Sequence, residues 1–391
     1  MAKFADRFLP AGDDVTAYLD GNSLGRPLRA TAEALEHLVY DRWGGELIRG
    51  WTQGEDPWMG WPEQHGDLIG GSCLGAAAGQ TVVADSTTVL LYKLARAAVA
   101  ARPGRDEIVL DTENFPTDRY VLEGICAERS MKLRWIETDP AAGIEVDQLI
   151  DVVNERTALV VFSNVAYRSA YLADVPAVTK VAHDAGALVL WDLSHSVGAV
   201  PMQLDEWGVD LAVGCTYKYL NGGPGAPAFA YVRADLQDQI QQPIQGWMGR
   251  ADPFTMGPGY TAAPGIRGLV SGTPSVLGMV GVREGAALVA EVGIAAIRVK
   301  SVALTALAIE LADAVLTPQG VRLVTPRDPE RRGSHVTIAR ADFEAVNAAL
   351  WQRGVLTDFR KPDGIRLGLA PLSTSYTNVV TAVETLVDLL Q

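Results

Sequence analysis

Ala187-Leu-Val-Leu-Trp-Asp-Leu-Ser-His195 and Leu211-Ala-Val-Gly-Cys-Thr-Tyr-Lys-Tyr-Leu-Asn221 are the two stretches whose reading decides the fold of this chain. Each begins as a short run apolar on both faces, which suits a strand buried inside a mainly parallel sheet, and each then turns polar. Four more runs have the same character: Thr81-Val-Val-Ala-Asp85, Glu107-Ile-Val-Leu-Asp111, Ala158-Leu-Val-Val-Phe162 and Ala228-Phe-Ala-Tyr-Val232. Helical stretches such as 88–101 and 175–185 lie between them as crossovers, so an α/β architecture with a mainly parallel sheet is expected. Beyond about residue 280 the pattern becomes a long alanine-rich helical stretch, 282–316. Strand candidates 321–325, 335–339 and 364–369 follow, then a closing helix 378–390. This portion reads as a smaller C-terminal α+β domain. The expected division is an N-terminal segment 1–60 packing on the small domain or a partner subunit, a large domain 61–280 and a small domain 281–391.

Composition narrows the function. The 391 residues amount to two to three units of about 150 residues each, ample for a real core. Asp and Glu number 47 against 33 Lys and Arg, a net charge of −14, and such a field repels phosphate backbones and anionic lipid. No nucleic-acid partner is expected. No stretch reaches the roughly 18 uncharged apolar residues of a membrane span, and the N-terminus carries no apolar signal core. A cytoplasmic protein without a membrane partner is expected. Cys73, Cys126 and Cys215 are scattered without CxxC spacing, and the five histidines include no HExxH, so neither a disulfide framework nor a metal site is expected.

Ligands of an open α/β sheet bind at the carboxyl ends of its strands, and four such ends carry chemistry. Asp85-Ser86-Thr87-Thr88 opens a helix, where hydroxyls and free N–H groups suit a phosphate, although the same residues also serve as an ordinary N-cap. Asp192 with His195 places a carboxylate where it could hold a heterocyclic nitrogen protonated; the pair also suits a helix cap with a surface histidine. Lys218, between Tyr217 and Tyr219, ends a buried strand and is partly desolvated, which makes its amine available for a Schiff base. A lone lysine there could equally snorkel to water, but Asp192 and Lys218 stand one crossover unit apart, so their strand ends can be neighbours. The fourth place is the loop Glu113-Asn-Phe-Pro-Thr-Asp118, whose aromatic could cover a flat ring or simply pack. A phosphate cradle, a partner for a pyridine nitrogen and an amine on one sheet edge are together what pyridoxal 5'-phosphate requires.

At these residues the chain resembles the kynureninase family, pyridoxal-phosphate enzymes of fold-type I (aspartate-aminotransferase-like) in the class V aminotransferase-like group. The resemblance spans nearly the whole chain. It is carried by Tyr18-Leu-Asp-Gly-Asn-Ser-Leu-Gly25, Leu47-Ile-Arg-Gly-Trp51, Phe115-Pro-Thr-Asp118, Asp192-Leu-Ser-His-Ser-Val-Gly198, Tyr217-Lys-Tyr-Leu-Asn221, Gly246-Trp247, Gly272-Thr-Pro274 and Ile365-Arg-Leu-Gly-Leu-Ala-Pro-Leu372. It implies that Lys218 forms the Schiff base, that Asp192 pairs with the pyridinium nitrogen, and that His195 sits near the phenolic oxygen. It further implies that Phe115 stacks on the ring above Asp118. Thr87, Thr88 and Tyr217 would bind the phosphate, and Trp247 and Thr273 would reach it from the neighbouring subunit of a homodimer. Arg366 would fork onto the α-carboxylate of a small amino-acid substrate, with Asn22 and Ser23 also on the substrate side, and Tyr217 would double as a proton relay. Lys218, Asp192 and Tyr217 would be the catalytic set. The implied reaction is hydrolytic Cβ–Cγ cleavage of L-kynurenine or its 3-hydroxy form to anthranilate or 3-hydroxyanthranilate and L-alanine, a step of tryptophan catabolism.

The chain departs from the family at Ala166-Tyr-Arg-Ser-Ala170, at Trp58-Met-Gly-Trp-Pro-Glu-Gln-His65 and at Pro371-Leu-Ser-Thr-Ser-Tyr376. These changes spare the cofactor residues. The rival reading is therefore a kynureninase-like enzyme acting on a different amino acid as aminotransferase, deaminase or lyase, including one of secondary metabolism. Cysteine desulfurase chemistry needs a cysteine on a loop after the lysine, and no cysteine follows Lys218. A binding protein that only kept the fold would need a broken cofactor set, and both Lys218 and Asp192 are present.

Overall fold

The computed structural model describes residues 2–391; Met1, the first residue of the expected N-terminal segment, lies outside the described residues. After a two-residue strand β1 (Ala17–Tyr18), seven strands build the large sheet: β2 (Thr81–Ala84), β3 (Glu107–Asp111), β4 (Lys132–Ile136), β5 (Thr157–Ser163), β6 (Leu188–Asp192), β7 (Leu211–Gly214) and β8 (Ala228–Val232). Their order is β2-β8-β7-β6-β5-β3-β4. Strands β3 to β7 run parallel, while β8 is antiparallel to both β7 and β2. The expected α/β class with a mainly parallel sheet is what the chain forms. Strand β4 was not foreseen: it is the outer edge, and Lys132, Arg134 and Trp135 face solvent, so it lacks the all-apolar pattern that marks the buried strands.

The C-terminal part has a four-stranded antiparallel sheet, ordered β12-β13-β10-β9, made of β9 (Arg322–Leu323), β10 (His335–Ala339), β12 (Asp358–Arg360) and β13 (Gly364–Gly368); β11 (Val355–Leu356) pairs in parallel with β1. Its core holds Leu304, Val336, Phe343, Ile365, Leu367 and Val383, and Ala17 and Leu19 of the N-terminal segment join it. Phe4, Phe8, Leu28 and Trp58 of the same segment belong instead to the core over the large sheet. The segment thus ties the two parts of its own chain together. The closing helix is Tyr376–Leu390, begun by a capping box in which Ser375 and Asn378 bond reciprocally.

Two local expectations need correction. The 113–118 loop ends at Phe115; Pro116 opens a helix, Pro116–Arg129, and Asp118 sits in its first turn. Proline fits there because a first-turn N–H has no helical acceptor to lose. The long stretch 282–316 is not one helix but two, Val276–Val292 and Ile294–Leu311, bent at Gly293 by 87° with φ +83°. The expected boundary at 280 falls inside the first of these. Among the described residues no single helix is long and apolar enough to cross a membrane.

The helix Val276–Val292 lies directly on the turn that follows β7. A Cβ on Gly285 would stand 1.6 Å from the Leu220 carbonyl oxygen, and one on Gly281 2.3 Å from that of Gly222. Only a helix face without side chains allows this approach. Gly285→Ala is expected to destabilise the protein by about 1–3 kcal/mol in urea unfolding, the usual cost of overpacking; an unchanged midpoint would show that the turn can yield.

Candidate active site

The parallel strands present Asp111, Ser163 and Asp192 at their carboxyl ends, and register places Asp192 between Ser163 of β5 and Val213 of β7. Asp192 is buried, and its Oδ1 accepts from the Ser194 N–H at 2.9 Å. The chain then makes a tight turn that buries His195. After β7 a second turn closes through Gly222 N–H to Thr216 C=O (2.9 Å) and Asn221 N–H to Lys218 C=O (2.9 Å). Asn221 adopts φ +55°, a conformation asparagine tolerates better than most residues. Lys218 is 8% exposed, so the snorkelling alternative is not realised.

The Lys218 Nζ lies 3.3 Å from His195 Nε2 and 5.9 Å from the centre of the Phe115 ring. Burial, then the charges of Lys218 and Arg366, hold the His195 imidazole well below its usual pKa. It is therefore a neutral ring whose Nε2 accepts from the lysine. Asp118 is 1% exposed, and its Oδ2 has no hydrogen-bond partner. Burial first, then the negative charges of Asp192 and Asp111, raise its pKa well above the carboxylate range, against the opposing pull of Lys218. Burial likewise pushes Asp111 up to about 7.

A buried carboxyl oxygen without a partner is costly, and here it lies within the electrostatic reach of the Lys218 amine and of the Asp192 and Asp111 carboxylates. These residues fit pyridoxal phosphate: a nitrogen partner in Asp192, an amine in Lys218, a flat face in Phe115, and an acceptor in Asp118 awaiting a donor.

For the phosphate end, Ser86 caps the helix Thr87–Ala100, its Oγ accepting from the Val89 N–H at 3.4 Å. The N-cap reading of this motif is thus correct for Ser86, and the same geometry leaves the helix's positive end facing outward with Thr87 and Thr88 in its first turn. A cavity of about 330 Å³ opens beside it, lined by Asp85, Ser86, Gly225, Gly272, Thr273 and Ser275. Thr273, expected from a neighbouring subunit, already lines this cavity within one chain. Trp247 stands at the surface, edge-on to Phe254, and shares a second cavity with Thr273, Ile48 and Trp51.

Arg366 is bonded to both Asn22 and Ser23 within the fold. The guanidinium is 1% exposed, and its Nε and Nη2 fork onto Asp358 at 2.7 and 2.5 Å. Nη1 donates to the Tyr167 carbonyl at 2.8 Å and Nη2 to Ser23 Oγ at 3.0 Å. The Asn22 carboxamide, turned so that its oxygen faces the guanidinium, accepts from Nε and Nη2 at 3.2 and 3.3 Å. The fork expected for a substrate is used inside the fold, because a buried guanidinium must be paired, and Asn22 and Ser23 serve Arg366. One Nη1 hydrogen remains for a ligand.

Sequence reasoning missed Asp358, His335 and the role of Gly25. Asp358 faces Arg366 only through the antiparallel register of β12 and β13, which no local pattern announces. His335 stands in β10 with its ring 5.6 Å from that of His195. Gly25 donates its N–H to the Tyr217 carbonyl at 2.8 Å, and a Cβ there would lie 2.2 Å from the Lys218 carbonyl oxygen. The Asn-Ser-Leu-Gly motif therefore joins Arg366 to the Lys218 turn.

Comparison with known proteins agrees with this geometry. The kynureninase C-terminal domain family matches residues 297–386. A kynureninase of Pseudomonas fluorescens is 39% identical, covering 98% of this chain and 90% of its own length. One of Burkholderia pseudomallei is 40% identical, covering 100% and 92%. Among solved structures, a cysteine desulfurase of Thermococcus onnurineus superposes with TM-score 0.85 at 18% identity over 99% of this chain and 98% of that one. A cystine C–S lyase superposes with TM-score 0.81 at 15% identity over 97% and 98%. The structural likenesses establish the shared fold-type I architecture. All three cysteines here are buried and precede Lys218.

The buried histidine yields a pH prediction. Burial, then the Arg366 charge, push His335 down to about 3, whereas in the unfolded chain it titrates near 6.5. Between these values the unfolded state binds the extra proton, so the contribution is present above about pH 6.5 and is lost as pH falls. Relative to His335→Phe, the wild type should lose unfolding free energy at about 1.4 kcal/mol per pH unit between pH 6 and 4. Urea unfolding at several pH values checks this, and parallel curves for the two proteins would mean a solvated ring.

Proposed function

The chain belongs to the kynureninase family, and from that premise we propose that it is a pyridoxal-phosphate-dependent hydrolase. It cleaves the Cβ–Cγ bond of L-kynurenine or 3-hydroxy-L-kynurenine, giving anthranilate or its 3-hydroxy form and L-alanine. The observation that carries this reading is likeness to kynureninases over the whole chain at 39 and 40% identity. The buried set of Lys218, Asp192, Asp118 and His195 supports it.

When bound, the cofactor supplies an electron sink that stabilises negative charge at the substrate's α- and β-carbons. The protein does the rest. Lys218 would hold the cofactor through its amine, and its Nζ, when free, would accept the Cα proton. Neutral His195, 3.3 Å from that Nζ, would keep it aimed. Asp192 would keep the ring nitrogen protonated, and Phe115 would cover the ring. The first turn at Thr87 and Thr88 holds the phosphate with Tyr217, whose phenol is kept protonated, chiefly by burial, and so can donate. Arg366, oriented by Asp358, Ser23 and Asn22, turns its remaining Nη1 hydrogen to the α-carboxylate. Water gives its oxygen to the carboxylate of the anthranilate product, and protons complete the methyl group of alanine.

The homodimer belongs to the same proposal. Trp43, Ile48, Trp247, Phe254 and Leu277 are 53, 78, 40, 57 and 49% exposed, and two apolar-lined cavities run among them. A second copy over this face would bring Trp247 toward its partner's phosphate, while Thr273 lines the cavity of its own chain. The protein is expected to sediment as a dimer, and Phe254→Glu to shift it toward monomer with weaker cofactor binding; a wild-type monomer at micromolar concentration would reject the dimer.

The decisive experiment incubates cofactor-loaded protein with L-kynurenine and, separately, 3-hydroxy-L-kynurenine, and separates the products by chromatography. The aromatic acid and alanine should appear in equal amounts, and Lys218→Ala should lower turnover by about a thousandfold or more. A shifted chromophore without aromatic acid would assign the site to another amino acid and direct attention to the 166–170 and 372–376 segments.

A further inference from the structure

Beneath the phosphate end lies a charged residue that the mechanism does not use. Lys93, on the helix Thr87–Ala100, is completely buried among Leu90, Leu94 and Ala97. Its Nζ donates to Asp85 Oδ2 at 2.6 Å and to the Leu269 carbonyl at 2.8 Å. A buried ammonium persists only where such partners compensate its lost hydration.

Asp85 lines the cavity beside this helix, and Leu269 immediately precedes the segment 270–275 that lines it as well. Asp85 is the residue between β2 and the cap Ser86; it adopts φ +44° and its carbonyl accepts from the Ala228 N–H at 3.0 Å. Leu269 ends the turn Gly265–Leu269, from which the chain runs on to Gly272 and Thr273 on the opposite wall. Asp85 is also an odd residue for this place. A carboxylate lining an anion site repels the anion, unless a cation close by cancels it.

We propose that Lys93 is a positioning residue for the cofactor phosphate: it cancels the Asp85 charge from below and ties the turn 85–88 to the 269–273 segment. The proposal rests on the pyridoxal-phosphate reading of the site. Lys93 touches neither cofactor nor substrate; it acts through Asp85 and the two backbone segments.

The test titrates apoenzyme with pyridoxal 5'-phosphate and with pyridoxal, which lacks the phosphate, following the visible absorbance that forms at Lys218. The ratio of the two dissociation constants isolates the phosphate term. Lys93→Met should cut the preference for the phosphate form by about tenfold, leaving pyridoxal unchanged. Asp85→Asn, which keeps a residue tolerant of positive φ, should raise the preference. The double variant should return to within about threefold of wild type, since neither charge then remains.

A purely structural lysine would instead lower the apoenzyme's melting temperature and weaken both aldehydes alike, and that result overturns the proposal. So does a preference that falls in Asp85→Asn, the variant that decides the matter if Lys93→Met does not fold. If wild-type protein forms no chromophore with either aldehyde, the cofactor reading itself fails, and this inference with it.

Discussion

The turn from Thr216 to Gly222 is gripped by backbone from two sides, and the rest of the site depends on that grip. From one side the N-terminal segment brings Gly25 against the Lys218 carbonyl; from the other the helix Val276–Val292 lays Gly281 and Gly285 on the carbonyls of Gly222 and Leu220. At Gly281 and Gly285 the nearest atoms are backbone, and at Gly25 the Asn221 Oδ1 joins the Lys218 carbonyl. Backbone is the stiffest packing material a protein has, since it has no rotamers to exchange. A lysine on such a turn is held in one place by its backbone. The N-terminal segment and the helix arrive from opposite ends of the chain, which makes the amine's position a product of the whole fold.

A second constraint is electrostatic. The chain is strongly acidic overall, yet its site is built on buried cations, each held by a specific acid: Arg366 by Asp358, and Lys93 by Asp85. Pairing of this kind does little for net stability compared with an apolar core, but removing one partner is severe. Near Arg366 and Lys218 lie His195 and His335, held neutral chiefly by burial and then by that positive charge. Asp118 and Asp111 are pushed the other way, mainly by burial. The site thus keeps imidazoles unprotonated and carboxyls above their usual range, an arrangement suited to moving protons near neutrality.

The strands β5, β6 and β7 were legible because burial on both faces leaves only apolar residues, and Asp192 stood out at the end of β6 and Lys218 in the turn after β7. β4 was not, since Lys132, Arg134 and Trp135 of this strand are in water. The loop expected at 113–118 hid the start of the helix Pro116–Arg129, which Pro116 marks. The break at Gly293 was hidden by alanine-rich helical residues on both sides, where one positive φ separates two helices.

By itself the sequence determined the architecture, the placing of Asp192 and Lys218 past neighbouring strands and the likeness to kynureninases, because these follow from local periodicity and from motifs a few residues long. The tertiary structure alone decided that Asp358 takes the Arg366 fork, that Asn22 and Ser23 serve that arginine, that Gly25 abuts the lysine turn, and that Lys93 pairs with Asp85 and the Leu269 carbonyl. The physical reason is the same throughout. A buried charge or a close backbone contact needs a partner brought from elsewhere in the chain, and which residue arrives is set by sheet register and by the crossing of helices, neither of which leaves a mark on its sequence neighbours.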